Sequence, residues 1–201
     1  EDITDNIIVN NSGGDAFSID GQSPDIIARN IIVGSTNFDY ARCNNSTWEK
    51  NIFSGDAHGK LLINGDNSSF SKNSILNATS NTLQLGIDGT DFQNPTNQDV
   101  FFTNNLFSGE SSEYFLEIWG GYGPQTVIDY LTITENNFLT NSVRAMIADY
   151  GDVSIENNYW GTTNESEIQE MIYDWYDDSN LGFLDYDPWL TEPSTDAPIS
   201  P

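Results

Sequence analysis

Thirty-one carboxylates in a chain of 201 residues make acid chemistry the first thing to look for. Hydrolysis of a glycosidic bond needs two carboxyl groups about 5 to 10 Å apart, one held protonated and one ionised. Glu110, Glu113 and Glu117, and the pair Asp149 and Asp152, are the groupings close enough in sequence to supply them. In so acidic a chain, pairs at these spacings also arise by chance. Eliminative cleavage of a uronate needs instead a basic side chain to take a proton and a positive charge to neutralise the carboxylate. Arg29, Lys50 and Lys72 recur at one position of a repeat and would form a basic stripe, while the lone histidine, His58, sits in Gly55-Asp56-Ala57-His58-Gly59-Lys60. Acidic neighbours satisfy these cations, and a formal net charge of −25 repels a polyuronate.

Oxygen ligands at close spacing occur in Asp88-Gly89-Thr90-Asp91 and in Asp174-Trp175-Tyr176-Asp177-Asp178. They suit Ca²⁺, although neither follows the EF-hand loop or the nonapeptide calcium repeat. The first reads as a turn and the second as the exposed end of a helix, so no metal site is assigned and Ca²⁺ is the one ion considered. The single cysteine, Cys43, reads as a small buried residue rather than a nucleophile. An ice-ordering face would need a regular threonine column, and only Leu131-Thr132-Ile133-Thr134 shows the alternation. With no zinc, haem, nucleotide or phosphate-loop signature and no convincing catalytic constellation, the expectation is a protein that is not an enzyme.

Six basic residues against the 31 acids make a surface that repels nucleic acid and anionic lipid and suits high salt, divalent cations or a cationic partner. No apolar run approaches the roughly 20 residues needed to span a bilayer. Asn-x-Ser/Thr occurs at Asn10, Asn44, Asn45, Asn67, Asn77 and Asn164, which are glycosylation candidates in an exported chain. The start at Glu1, without a methionine or a signal peptide, reads as a processed mature chain or an excised piece of a longer one.

The elements that must position any such site follow from an internal repeat. Aligned on Asn6, Asn30, Asn51, Asn73, Asn105, Asn137 and Asn158, the chain recurs at spacings of 24, 21, 22, 32, 32 and 21. Two residues after each asparagine stand Ile8, Ile32, Phe53, Ile75, Phe107, Leu139 and Trp160, all apolar. Three residues before stand Ile3, Ile27, Trp48, Phe70, Phe102, Thr134 and Ile155, apolar in all but one. The preceding residue is always polar, and the fourth residue after is Gly or Asn in six of seven repeats, types that tolerate a left-handed backbone. A short strand, a sharp turn at the asparagine and a second strand account for this pattern. Stacking the repeats aligns the apolar columns into a core, with Trp48, Phe70 and Phe102 inside it, and the asparagines into a hydrogen-bonded ladder. A third strand fits Ala16–Ile19, Leu61–Ile63, Leu83–Ile87, Phe115–Trp119 and Ala145–Ala148. The fold class expected is all-β: a right-handed single-stranded parallel β-helix of about seven coils.

After Asn158 the pattern changes. Thr163 or Asn164 can cap a helix over about 165–178, whose apolar stripe is Ile168, Met171, Ile172, Trp175 and Tyr176. The helix would cover the C-terminal end of the β-helix, whose domain spans 1–190. Residues 191–201 read as a Pro/Ser/Thr-rich tail or linker. Asn158-Tyr159-Trp160-Gly161-Thr162, Ile168, Ile172-Tyr173-Asp174, Asp177-Asp178 and Asp185-Tyr186-Asp187-Pro188-Trp189-Leu190 together resemble the closing segment of right-handed parallel β-helix repeat proteins. That resemblance covers about forty residues at motif level and the remainder at repeat level. It implies an exported protein, in many cases a module of a large surface protein. The broader fold also hosts pectate lyases, polygalacturonases and phage tailspikes, so the resemblance implies an architecture and no particular reaction.

The two long repeats carry insertions over about Gly86–Gln98 and Trp119–Tyr130. Phe92, Trp119 and Tyr122 are the binding candidates there, suited to glycan or protein contacts on a rigid scaffold. Glu1–Asp5 enter the first repeat with no cap, so this end is expected to follow an upstream segment or to pair with another molecule. The expectation is a non-catalytic extracellular or cell-surface protein, structural or adhesive. Self-association into a filament, sheath or surface layer, or contact with neighbouring domains of a larger surface protein, is the partner expectation. No nucleic-acid binding or membrane insertion is expected. The alternative is a carbohydrate-active enzyme or glycan-binding module of the pectate-lyase-like type.

Overall fold

The computed structural model describes residues 2–9, 19–21, 26–33, 41–43, 45–54, 63–64, 67–76, 83–87, 100–109, 116–120, 131–140 and 152–199. It is an all-β structure of parallel sheets with one short helix; every strand pairing among the described residues is parallel. The first sheet stacks Ile3–Thr4, Ile26–Ala28, Thr47–Glu49, Ser68–Ser71, Val100–Thr103 and Leu131–Thr134 in that order. The second stacks Ile7–Val9, Ile31–Val33, Ile52–Ser54, Ser74–Leu76, Leu106–Gly109 and Asn137–Thr140. A third sheet joins Ile19–Gly21, Ala41–Cys43 and Ile63–Asn64, and Leu83–Ile87 pairs with Leu116–Gly120. Leu83–Ile87 is the third strand expected from the sequence; the strands expected at Ala16–Ile19, Leu61–Ile63 and Phe115–Trp119 are shifted by one to three residues, Ala41–Cys43 is additional, and Ala145–Ala148 lies outside the described residues.

Register follows the apolar columns. Ile27 pairs with Ile3 and Trp48, Phe70 with Trp48 and Phe102, and Phe102 with Ile133. In the second sheet Ile8, Ile32, Phe53, Ile75, Phe107 and Phe138 stand successively opposite one another. A one-residue slip would turn every one of these side chains outward, so burial of the columns locks the register. An aromatic spine runs through the core: Phe70 stacks on Phe102 at 5.0 Å, Phe102 meets Phe107 at 5.5 Å, Phe107 stacks on Phe138 at 4.9 Å and Phe138 on Trp160 at 4.7 Å. Each such ring contributes about 1.5–3 kcal/mol by burial, and each pair about 1 kcal/mol more.

The asparagine ladder is present, with one correction. Asn6, Asn30, Asn51, Asn73, Asn105, Asn136 and Asn158 form it, at separations of 24, 21, 22, 32, 31 and 22 residues. Asn137, the member expected from the sequence, is not a rung; its amide instead exchanges hydrogen bonds with the Ser194 backbone. The physical reason lies in the columns. Taking Asn136 as the rung puts Ile133 and Phe138, both buried, where the other register put Thr134 and Leu139.

Each rung follows one plan. The backbone N–H and the side-chain Nδ2 of one asparagine both donate to the Oδ1 of the next, as from Asn73 to Asn105 at 2.9 and 3.1 Å. Nδ2 also donates to a carbonyl in the preceding repeat: Asn105 to Phe70, Asn136 to Phe102. The interior asparagines are fully buried, and this pairing is what makes their burial tolerable.

The residue before each rung asparagine is left-handed, a position the sequence reading marked only as polar. Asp5, Arg29, Lys50, Lys72, Asn104, Glu135 and Asn157 all have φ between 56 and 60°. Such a conformation costs a side-chain-bearing residue about 1–2 kcal/mol. It is offset because each of these N–H groups bonds across to the next repeat, as Arg29 does to the Glu49 carbonyl at 3.1 Å. Of the Gly/Asn positions the sequence marks for a left-handed backbone, Gly109 has φ 129°; Asn10, Gly34, Gly55, Asn77 and Asn141 lie outside the described residues.

At the C-terminal end the helix spans Glu165–Met171, shorter than the expected 165–178. Asn164 caps it, accepting from Ser166 N–H. Ile168 and Ile172 turn into the core with Trp160, Val153, Ile155 and Leu184. The helix stops at Ile172 because Asp174 takes the following backbone into an Asx turn. Its two carboxylate oxygens accept from the Tyr176 and Leu184 N–H groups. Residues 191–199 do not leave as a free tail: Ser194 bonds to Asn137 and Asn104, and Ala197 is buried.

Candidate functional site

The acid groupings do not come together as a described catalytic pair. Glu110, Glu113 and Asp149 lie outside the described residues, and Glu117 lies in the strand Leu116–Gly120, opposite Gln84. Asp152 is exposed and accepts from the Phe183 N–H at 3.0 Å, so its described role is to tie the closing segment to the sheet. Arg29 forms a two-pronged ion pair with Asp5, both contacts 2.7 Å. The Arg29 hydrogen bonds hold the Asp5 carboxyl below the ordinary aspartate value, and Asp5 in turn raises the Arg29 pKa. Lys50 reaches Glu49 at 3.9 Å, and Lys72 is exposed on the same column. His58 lies outside the described residues, as do Phe92, Tyr122 and the Asp88–Asp91 turn. Trp119 stands in its strand opposite Gly86.

The Asp174–Asp178 run is spent on turns. Besides the Asp174 bonds, Asp177 Oδ2 accepts from Asp174 N–H at 3.3 Å, and Asp178 Oδ1 accepts from Asn180 N–H and Nδ2. Among the described residues no group of three or more His, Cys, Asp or Glu side chains is arranged to hold a metal ion. Of the glycosylation candidates, Asn45, Asn67 and Asn164 are exposed, while Asn10, Asn44 and Asn77 lie outside the described residues. Asn45 and Asn67 occupy one turn in adjacent repeats, both left-handed, with Asn67 Nδ2 donating to Asn45 Oδ1 at 3.2 Å. Asn164 Nδ2 donates to Glu167.

Two surfaces stand out instead. The first is the pair of sheet edges at Ile3–Thr4 and Ile7–Val9, which have a neighbouring strand on one side only among the described residues. Ile7 is 70% exposed, and Asn6 Oδ1 has no described donor, whereas the Oδ1 of each interior rung accepts from two. The opposite end is closed by the chain's own segment. Phe183, Asp185, Pro188 and Asn158 carbonyls accept from Val153, Ile155, Asn157 and Leu190 N–H groups in turn.

The second surface lies beside the helix. Tyr176 packs edge to face on Trp175 and Phe183, which are tilted against each other, with ring centroids 4.8 to 5.7 Å apart, yet all three remain exposed. Next to them a cavity of about 500 Å³ is lined by Gln169, Ile172, Asp174, Tyr176, Asp177 and Tyr186. Sequence reasoning placed Trp175 and Tyr176 on the buried stripe of a longer helix and so missed this patch. The signal against that helix was Asp174 with Asp177 and Asp178, residues that favour turns over helix interiors.

Comparison with protein-family models, with curated proteins and with solved structures finds no match. Among the described residues no helix is long and apolar enough to cross a membrane.

Proposed function

We propose that the chain winds as a right-handed parallel β-helix of about seven coils and serves outside the cell as a non-catalytic structural or adhesive surface module. The observation that carries this reading is the difference between the two ends of the sheets. One end is sealed by residues 183–190, which occupy the last backbone groups. The other offers strand edges, an exposed Ile7 and a ladder acceptor in Asn6. An edge of this kind is a template for further pairing. Pairing of identical copies through this edge alone joins two of them, edge to edge about a two-fold axis. A sheath or layer then needs lateral contacts as well.

The net charge of −25 opposes contact between copies, and salt screens that repulsion over about 10 Å at 0.1 M. Association is therefore expected to strengthen with ionic strength. Sedimentation of the purified chain from low to high salt tests this, alongside Ile7→Lys, which places a charge at the edge. A salt-promoted dimer that Ile7→Lys abolishes supports the reading. A monomer at every salt concentration removes the self-association part of it.

A further inference from the structure

We infer that the patch of Trp175, Tyr176 and Phe183, with the adjoining cavity, is a binding site for an arginine side chain carried on an extended segment of a partner protein. The inference stands apart from the extracellular and self-association readings, because it uses a different face of the molecule.

Tyr176 is 81% exposed, an unusual position for a large aromatic ring, yet the ring is braced on two sides. Its centroid lies 5.7 Å from Trp175 and 5.4 Å from Phe183, edge to face in both cases, and its own N–H is held by Asp174. A braced ring presents a flat face at little cost in conformational freedom, which is what an aromatic anchor in an interface needs. Trp175 and Phe183 extend the same apolar surface.

Charge selects the ligand. From Gly151 to Pro201 the sequence carries twelve acidic residues and no Lys, Arg or His. Asp177, on the cavity wall, uses Oδ2 for the Asp174 N–H and has no described donor to its other oxygen. Gln169, which also lines the cavity, donates from Nε2 to the Tyr186 hydroxyl at 3.0 Å, leaving the amide oxygen as an acceptor. An anionic ligand is repelled here. A neutral sugar can stack on the rings but draws nothing from the field. A guanidinium group does both: its plane stacks on an aromatic face, and its N–H fork matches a carboxylate. Lysine, a compact and strongly hydrated charge, matches the face less well. The cavity of about 500 Å³ takes one such side chain and its stem.

The test uses the full chain and three probes: a short glycine-spaced peptide with two arginines, the same peptide with two lysines, and a neutral oligosaccharide. Binding is followed by calorimetry and by backbone amide shifts in NMR. The arginine peptide should bind, shift the amides of residues 174–186 and weaken as salt rises. It should bind several-fold more tightly than the lysine peptide, and the oligosaccharide should not bind. Tyr176→Ala and Asp177→Asn should each weaken the arginine peptide about tenfold, the scale of one cation–π contact or one charge-assisted pair. Both residues are exposed, and an unchanged far-UV spectrum establishes that each variant is folded. Wild-type affinity in both variants would mean diffuse attraction to an acidic surface and overturns the inference. Equal binding of the two peptides, or binding of the oligosaccharide at these rings in their place, overturns it as well.

Discussion

Replacing Asn105 by alanine should be among the most damaging single changes in this chain. The side chain makes four hydrogen bonds, all buried. Oδ1 accepts from Asn73 N–H and Asn73 Nδ2, and Nδ2 donates to the Phe70 carbonyl and to Asn136 Oδ1. Two of the partners keep another bond: Asn73 Nδ2 still reaches Trp48 and Ser71 carbonyls, and Asn136 Oδ1 still accepts from Asn105 N–H. The Asn73 backbone N–H has no such reserve and is left unpaired in a fully buried site. An orphaned buried donor costs about 2 kcal/mol, and the three other lost bonds together contribute about as much again, giving about 4 kcal/mol. Against a domain stability of about 5–15 kcal/mol that is a large fraction.

Asn6→Ala is the internal control. Asn6 is exposed, its N–H bond to Asn30 Oδ1 survives the substitution, and only the Nδ2 contacts to Thr4 and Asn30 are lost. Its cost should stay below about 1 kcal/mol. Urea unfolding followed by far-UV circular dichroism and by tryptophan fluorescence measures both, with coincidence of the two probes checking that one transition is being read. If Asn105→Ala unfolds within about 1 kcal/mol of wild type, or if Asn6→Ala costs as much as Asn105→Ala, then rung satisfaction is not what holds the repeats together.

The rung assignment itself is testable, since Asn136→Ala should cost about as much as Asn105→Ala. Asn137→Ala, which loses two bonds to Ser194, should cost only about 1–2 kcal/mol in the same urea assay. Lys72, at φ 57°, should gain about 0.5–1 kcal/mol on replacement by glycine and lose about 1 kcal/mol or more on replacement by valine, read as opposite shifts in the urea midpoint. The Asp5 carboxyl should titrate below the ordinary aspartate value by NMR and return to the ordinary range in Arg29→Gln. Its folded pKa is the depressed one, so the stabilisation from the ion pair is present above the unfolded value and lost as pH falls through the folded one. A titration unchanged by Arg29→Gln would show that the pair does not form in solution.

Much of this structure was legible in the chain because stacking turns spatial neighbours into a sequence period. Isoleucines, phenylalanines and asparagines recur at 21 to 32 residues, and each such column became a paired column. The single slip, Asn137 for Asn136, has a local cause. In Asn104-Asn105 and Asn157-Asn158 the rung is the second asparagine, with the first in the left-handed slot. In Glu135-Asn136-Asn137 the slot is filled by Glu135, so the rung moves back by one. Only the apolar flanks, Ile133 and Phe138 against Thr134 and Leu139, distinguish the two readings. The site was less legible. Trp175 and Tyr176 fit a helical stripe at i+7 and i+8 from Ile168, and an Asx turn at Asp174 outweighs that periodicity. What a ring touches after a turn depends on where the chain returns, and Phe183 comes back from beyond that turn.

The ladder also has a direction. Each rung from Asn6 to Asn136 donates to the rung that follows it in the chain, and each from Asn30 to Asn158 accepts from the rung before. A rung is therefore unfinished only until the next 21 to 32 residues have emerged, and nothing further along the chain is needed to complete it. The entropy of closing a loop of that size is the same at the first rung as at the last. A structure assembled in chain order would have a single growing front, the exposed amide of its newest asparagine. Residues 183–190 close that front and carry no asparagine to offer a next rung.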